Sequence, residues 1–306
     1  MLTAPRRVGW VTEGLPALRS GEVLVRTDAG SISVGSELPI YRGEARSGSP
    51  ARYPLMTGYE NVGTVVGCGQ DVTSVRPGQR VFASYGHSTH GVLPEEKVVE
   101  VPKDISDALA LLAILSCDVA KGVRKVAPKP EETVLVAGAG AIGLLAVFVL
   151  GAYGVRAVDV IEPSRDRRAL AQRLGARSAV EPEALVPDEY SVAFECSGRD
   201  EAFSLLQRKL GADGRLCVLS DGNLEPLFLR PEFHERELSV VGSSDGWDYR
   251  EHARWYFSVV HGAGTGLENI FELRVEAEDL PRTFEDLADG RMRPVKILVD
   301  YRATRP

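Results

Sequence analysis

The sequence predicts an α/β protein in two parts, a small, mostly β, barrel-like domain followed by a doubly wound parallel sheet. Three observations predict it. Residues 1 to about 115 carry short apolar or alternating runs separated by turn residues. From Thr133 onward, apolar runs of strand length alternate with helical stretches. Between the two parts, Glu132–Glu162 reads ETVLVAGAGAIGLLAVFVLGAYGVRAVDVIE, a strand, a glycine turn, an apolar helix, a second strand and an acid.

That central stretch is the unit that binds a dinucleotide. Thr133–Ala137 is the first strand, and Ala141–Tyr153 is the helix. Val155–Ile161 is the second strand, ending on Glu162. Gly138 permits the tight turn, Gly140 lets a pyrophosphate approach the backbone, and Gly143 lets helix and strand pack closely. The N–H groups at the helix start, around Ala141 and Ile142, face the phosphate charge. Glu162 falls where a carboxylate accepts both ribose hydroxyls, which favours NAD because the 2′-phosphate of NADP would be repelled. Ser164 and Arg165 lie just beyond, and would bind that phosphate if Glu162 swung aside. The alternative, a glycine-rich packing turn, leaves the position of Glu162 to chance.

In the first part, Glu22–Thr27, Val62–Val66, Arg80–Ser84 and Lys97–Val101 read as strands. Ser106–Val126 reads as one helix, stopped by Pro128 and Pro130. In the second part, Ser164–Gly175 is a helix with a Ser cap and a Gly stop. Ser191–Glu195 is a strand running into Cys196-Ser197-Gly198. Asp200–Gly211 is a helix, and Arg215–Leu219 and Leu238–Gly242 are strands. Tyr249–His261 and Leu280–Asp289 are helices, and Val295–Asp300 is a closing strand expected to return to the first domain. Ser197 and Gly198 are expected near the adenine. The loops Ser220-Asp221-Gly222 and Ser243 onward are expected near the nicotinamide, at the carboxyl ends of the strands.

Composition excludes other classes. A formal net charge of -7 with no long basic run argues against nucleic acid as the main partner. Four scattered cysteines form no CxxC pair, so they indicate neither a zinc ribbon nor a dithiol motif, and they suit a cytoplasmic protein with reduced thiols. The N-terminal MLTAPRRVGWVTEG lacks the apolar core of a signal peptide. The longest apolar run, Ala141–Tyr153, is too short to span a bilayer.

A second set of residues carries a family resemblance. Gly35-Ser36-Glu37, Tyr41-Arg42-Gly43, Gly58-Tyr59-Glu60-Asn61-Val62-Gly63, Val75-Arg76-Pro77-Gly78-Gln79-Arg80-Val81, Glu195-Cys196-Ser197-Gly198 and Lys296-Ile297-Leu298-Val299-Asp300 together resemble the medium-chain dehydrogenase/reductase superfamily, to which the zinc alcohol dehydrogenases belong. The resemblance covers nearly the whole chain. The Gly-Ser-Glu stretch, GYENVG and Pro231-Glu232-Phe233-His234 are most similar to the bacteriochlorophyllide dehydrogenase-related branch, which does not by itself imply a pigment substrate. The resemblance implies a GroES-like catalytic domain over 1–118, a Rossmann domain over 119–262, a C-terminal return over 263–306 and a substrate cleft between the domains. It also implies hydride exchange with a nicotinamide and a homodimer formed through the edges of the Rossmann sheets.

The chain departs from the zinc enzymes where they hold their metal. The first ligand position is Val34, and the histidine position is Tyr59, although Glu60 is retained. The third position falls near Ala113 or Ile114, with Cys117 a few residues off. Val cannot bind zinc and Tyr rarely does, so no zinc is expected. The rival metal candidate, His87-Ser88-Thr89-His90, is a short HxxH of a kind common by accident. Without zinc, a hydrogen-bond donor must polarise the substrate oxygen. Tyr59 is the expected donor and Ser36 the relay, Glu60 an orienting group, and Asp118 with Lys121 a pair sharing one helix face. The alternatives are that Tyr59 only fills the vacated volume and that Asp118–Lys121 is a solvated pair. Tyr41 and Arg42 are expected at the substrate entrance, and Cys117 as a small buried residue.

The activity expected is zinc-independent interconversion of a secondary alcohol and a ketone, or of an aldehyde, with NAD or NADP. The alternatives are an NADPH-dependent quinone or enoyl reductase of the same superfamily, and a nucleotide-binding redox sensor without turnover.

Overall fold

The computed structural model describes residues 1–44, 52–185, 189–221, 225–246, 249–262 and 264–303. The chain divides into two compact units. One comprises Met1–Ala113, Arg250–Gly264 and Phe271–Pro306, and the other Ile114–Tyr249 and Thr265–Ile270. The division therefore falls at Ala113 and not at residue 118. The helix Tyr249–Val260, expected with the nucleotide domain, lies mostly in the first unit. Its amphipathic face explains this: His252, Ala253, Tyr256, Phe257 and Val260 are buried, and the Tyr256 hydroxyl donates to the Leu109 carbonyl at 3.1 Å.

The second unit is built on a six-stranded parallel sheet. Its spatial order is Ser178–Val180, Ala157–Ile161, Thr133–Ala137, Tyr190–Glu195, Leu210–Val218 and Ser239–Gly242. The third, second and first strands in the chain are thus followed by the fourth, fifth and sixth, the order of a doubly wound dinucleotide fold. The order reverses between Thr133–Ala137 and Tyr190–Glu195. The loops leaving those two strands, which carry Gly138 and Ser197, mark the switch point. The helix Ala141–Ala152 buries seven of its residues, so its continuous apolar character reflects burial on most faces.

The first unit holds a seven-stranded sheet. Along it lie Phe271–Glu276, Lys296–Asp300, Glu22–Ile32, Asn61–Cys68, Arg80–Ala83 and Val99–Glu100, with His90–Pro94 also paired to Glu22–Ile32. The closing strand returns as expected and runs antiparallel to Glu22–Ile32, with Ile297 opposite Ile32. Two expected elements change. Lys97–Val101 splits into a 3₁₀ turn, Glu95–Lys97, and a two-residue strand. Ser106–Val126 breaks at Leu112 into the helices Asp107–Leu111 and Ala113–Val126, the former capped by the Ser106 hydroxyl, which accepts from Leu109 N at 3.2 Å.

A helix without a strong sequence signal, Val34–Arg42, follows the long strand directly and contains Pro39. Its N-cap, Ser33, makes no side-chain cap. Glu37 instead reaches back to accept from Ser33 N at 2.8 Å. Tyr41 and Arg42, expected at a substrate entrance, are both engaged within the first unit. The Tyr41 ring is buried and stacks on Phe284 at 5.3 Å, and Arg42 donates to the Ala288 carbonyl at 3.0 Å. Phe284 is fully buried beneath both Tyr41 and the edge of His87. Phe284→Ala is expected to cost about 3–5 kcal/mol in urea unfolding. A loss below about 1 kcal/mol would contradict this packing.

Candidate functional site

The nucleotide cradle is preformed in the second unit. Gly138 adopts φ +93°, a conformation only glycine takes without strain, and a Cβ there would press on Ser197 at 3.1 Å. A Cβ on Gly143 would fall 1.9 Å from the Gly138 carbonyl oxygen, so the turn closes only around glycine. Gly140 differs: a Cβ there would meet nothing within 4 Å. Its missing side chain therefore serves no internal packing and leaves open the face a pyrophosphate would use. Gly140 is also the N-cap of Ala141–Ala152 and offers no capping side chain. The N–H groups at Ala141, Ile142 and Gly143 are an anion site by geometry and dipole.

Glu162 is buried and fixed. One carboxylate oxygen accepts from Ala139 N at 2.8 Å and the other from Ser164 N at 2.9 Å. Each oxygen keeps acceptor capacity for a ribose hydroxyl. Ser164 caps the next helix, accepting from Arg167 N at 3.5 Å, and Arg165 is exposed in its first turn. The Ser164 hydroxyl, expected as one half of a phosphate site, is thus engaged as a cap.

Glu195, given no site role from the sequence, organises the opposite loop. It is fully buried at the end of its strand. Its Oε1 accepts from Ser197 N at 2.7 Å, Ser197 Oγ at 2.6 Å and Gly198 N at 2.9 Å, and its Oε2 accepts from the Ser220 hydroxyl. Ser197 and Ser220 therefore hold the loops together through this carboxylate. A Glu ending an apolar strand just before Cys-Ser-Gly was the available signal. Gly222 lies outside the described residues. The loop after Ser239–Gly242 is gripped by the helix Ala113–Val126. Lys125 donates to the Gly242 carbonyl at 2.6 Å, and Lys121 to the Ser244 and Asp245 carbonyls at 2.8 and 2.7 Å. The Asp118 carboxylate accepts from Gly246 N. Asp118, expected as catalytic, is thus a loop clamp together with Lys121, because both reach the same backbone. Ser243 sits within this clamped loop, buried, with no hydrogen-bond partner for its hydroxyl.

In the first unit, the Tyr59 hydroxyl lies 3.1 Å from Ser36 Oγ, which itself donates to the Ser33 carbonyl at 3.3 Å. Both side chains are partly exposed. Behind them the strand register assembles a buried cluster that was not read from the sequence. With Ile297 opposite Ile32, Lys296 lies next to Ser33, and with Asn61 opposite Gly30, Glu60 lies next to Ser31. Lys296 Nζ donates to Glu60 Oε2 at 2.5 Å and to Ser33 Oγ at 2.7 Å. Ser31 and Ser33 also donate to Glu60 Oε2, the latter at 3.2 Å, whereas Glu60 Oε1 is buried without a partner. The signal was a lysine opening an otherwise apolar closing strand. Burial, and then the Glu60 charge, push the Tyr59 phenol far above its ordinary range, although the hydrogen bond to Ser36 favours ionisation. Tyr59 is therefore a neutral donor at physiological pH.

A second buried chain joins Glu37, His87 and Tyr301. His87 Nε2 lies 3.0 Å from Glu37 Oε2, which also accepts from Thr57 Oγ1 at 2.6 Å, and His87 Nδ1 lies 3.2 Å from the Tyr301 hydroxyl. Burial pushes Glu37 up. The His87 charge and hydrogen bonds from His87, Thr57 and Ser33 N outweigh it and hold the carboxyl below its usual range.

Two family models match the chain: the alcohol dehydrogenase GroES-like domain over residues 19–103 and the zinc-binding dehydrogenase over residues 141–257. The chain belongs to the medium-chain dehydrogenase/reductase superfamily. It is an NAD(P)-dependent oxidoreductase of that superfamily. It is 26% identical to an L-threonine 3-dehydrogenase of Anaeromyxobacter dehalogenans (strain 2CP-C), covering 100% of this chain and 99% of that protein. It is 28% identical to another from Streptomyces coelicolor, covering 94% of each. Among solved structures, 2R,3R-butanediol dehydrogenase from Bacillus subtilis superposes with a TM-score of 0.83 at 22% identity over 98% of each chain. A protein from Sinorhizobium meliloti 1021, provisionally described as a zinc-binding dehydrogenase and bound to NADP, does so at 0.84 and 21% over 98% of each.

The donors at the positions of the zinc that the family description names are poor ones. Val34 has none, and the Tyr59 phenol is neutral and hydrogen-bonded. Glu60 Oε2 is held by an ammonium and two hydroxyls. Cys117 is buried and packed against Gly246. In the HxxH stretch, His87 is held by Glu37 and Tyr301 while His90 Nδ1 contacts Thr89 Oγ1 at 3.2 Å. Among the described residues, no group of three or more His, Cys, Asp or Glu could hold a metal. These residues do not fit a catalytic zinc. Also among the described residues, no helix is long and apolar enough to cross a membrane.

The glycine geometry separates two variants. Gly140→Ala is expected to keep wild-type stability and weaken NADH binding by more than about tenfold, because its methyl enters only the space left for phosphate. Gly143→Ala is expected to lower the melting temperature even without cofactor. Calorimetry of both apo variants with NADH titration checks this. Equal stability losses would contradict the open face at Gly140.

Proposed function

We propose that this chain is a zinc-independent dehydrogenase that interconverts a secondary alcohol with a ketone, or acts on an aldehyde, and prefers NAD. The observation that carries the reading is the partly exposed Tyr59–Ser36 hydroxyl pair at positions where the zinc enzymes keep a ligand and a proton-relaying hydroxyl. The nicotinamide, when bound, supplies or takes the hydride. Tyr59 donates a hydrogen bond to the substrate oxygen and polarises the carbonyl. As the carbonyl carbon gains the hydride, the oxygen takes the Tyr59 proton, and the phenol O–H bond breaks as the alcohol O–H forms. Ser36 passes a proton from solvent back to Tyr59. Alcohol oxidation runs the same proton path in reverse.

The NAD preference is supported by Glu162, held in place by Ala139 N and Ser164 N with its charge where a 2′-phosphate would sit. Small hydroxyl-bearing substrates are supported by the relatives named for threonine and butanediol. The exposed edge strand Ser239–Gly242 is the proposed dimer contact, and the reduced cysteines suit the cytoplasm.

Fluorescence titration is expected to show tighter binding of NADH than of NADPH. The reverse preference would move the quinone or enoyl reductase reading to the front, and binding of neither would sink the dehydrogenase reading. Tyr59→Phe is expected to lower kcat by about 10²–10⁴-fold on any ketone the wild type reduces, with NADH binding unchanged. Full activity would remove Tyr59 from the mechanism. Val241→Glu is expected to give a monomer by light scattering where the wild type gives a dimer.

A further inference from the structure

A proton path through Tyr59 and Ser36 leaves the inner half of the Tyr59 cluster without a task. Lys296 and Glu60 are among the most buried charged side chains of the first unit, 0% and 1% exposed. The Phe271 ring lies 5.9 Å from the ammonium. Stability alone explains such a pair poorly, because desolvating two ions offsets most of their attraction and apolar replacements often do as well. The layering suggests another role. Tyr59 and Ser36 are partly exposed, and Ser33, Glu60 and Lys296 are buried behind them. Ser33 and Ser36 join the layers: the Ser33 hydroxyl accepts from the ammonium at 2.7 Å, and the Ser33 carbonyl accepts at 3.3 Å from Ser36 Oγ, which lies 3.1 Å from the Tyr59 hydroxyl.

Charge counting gives the ammonium its task. When Tyr59 releases its proton, negative charge appears where the charges of Glu60 and Glu37 already disfavour it. His87 pairs with Glu37 at 3.0 Å, and Lys296 pairs with Glu60. We propose that Lys296 is the positioning residue of this site: its ammonium cancels the charge of Glu60, the chain neighbour of Tyr59, and so supports the charge that appears on Tyr59 as the phenol proton passes to the substrate oxygen. The proposal rests on Tyr59 as the proton donor.

The test needs no substrate. A fluorinated tyrosine, whose phenol ionises well below that of tyrosine, is encoded at position 59 of the full chain, and its ionisation midpoint is read optically. Lys296→Met is expected to raise the midpoint by at least about one pH unit, a tenfold change in the ionisation constant. Lys296→Arg keeps the charge and is expected to leave the midpoint close to the parent value. Lys296→Met exposes Glu60 as an unpaired buried charge, so a second pair decides the matter if that variant does not fold. Glu60→Gln is expected to titrate at least about tenfold more readily than Glu60→Gln/Lys296→Met. Coincident midpoints in that pair overturn the proposal. A substrate panel that fails with the parent protein counts against the dehydrogenase reading, whereas the midpoints report on Lys296 alone.

Discussion

The first unit depends on one register, that of the closing strand against Glu22–Ile32. Pairing Ile297 with Ile32 carries Lys296 to Ser33 and, across the same sheet, to Glu60. A slip of one residue would turn the ammonium to the other face and leave Glu60 buried without its cation. Breaking a buried pair by removing one partner costs about 3–5 kcal/mol, so the pair selects its own alignment even where it adds little net stability. The helix Val34–Arg42 starts from the same point. Its N-cap hydroxyl is taken by Glu60 and Lys296, and Glu37 satisfies the Ser33 amide in its place.

Buried carboxylates serve both units as junctions of backbone. Glu195 gathers Ser197, Gly198 and Ser220, Glu162 ties the glycine turn to the start of the next helix, and Glu37 joins Ser33, Thr57 and His87. Each sits where several N–H or O–H donors converge, which an ionised carboxylate satisfies better than a neutral side chain. Loops that would otherwise be independent thereby acquire fixed positions around the places where ligand groups are expected.

Much of the second unit was legible because its signals are local. The glycines, Glu162 and the alternation of strands and helices lie within short windows, and their physical roles follow from spacing. The first unit was less legible because its chemistry is assembled by pairing. Lys296 is 236 residues from Glu60 in the chain, and only strand register brings them together. Asp118 illustrates the opposite error. Its spacing from Lys121 correctly places both on one helix face, but what that face meets, the backbone of residues 244–246, is a tertiary fact. What Tyr41 meets is tertiary in the same way, since the helix carrying it turns the ring inward onto Phe284.

The discontinuity of the first unit has a consequence for biogenesis. Most of the second unit comes from one uninterrupted stretch, Ile114–Tyr249, whereas the first needs Phe271–Pro306 to finish its sheet. During synthesis the nucleotide-binding unit can therefore complete its parallel sheet while the earlier-made strands still wait for their last partner. A nascent chain stalled before Lys296 would carry Glu60 with no counter-ion, and quality-control proteases would meet it as an unfinished barrel.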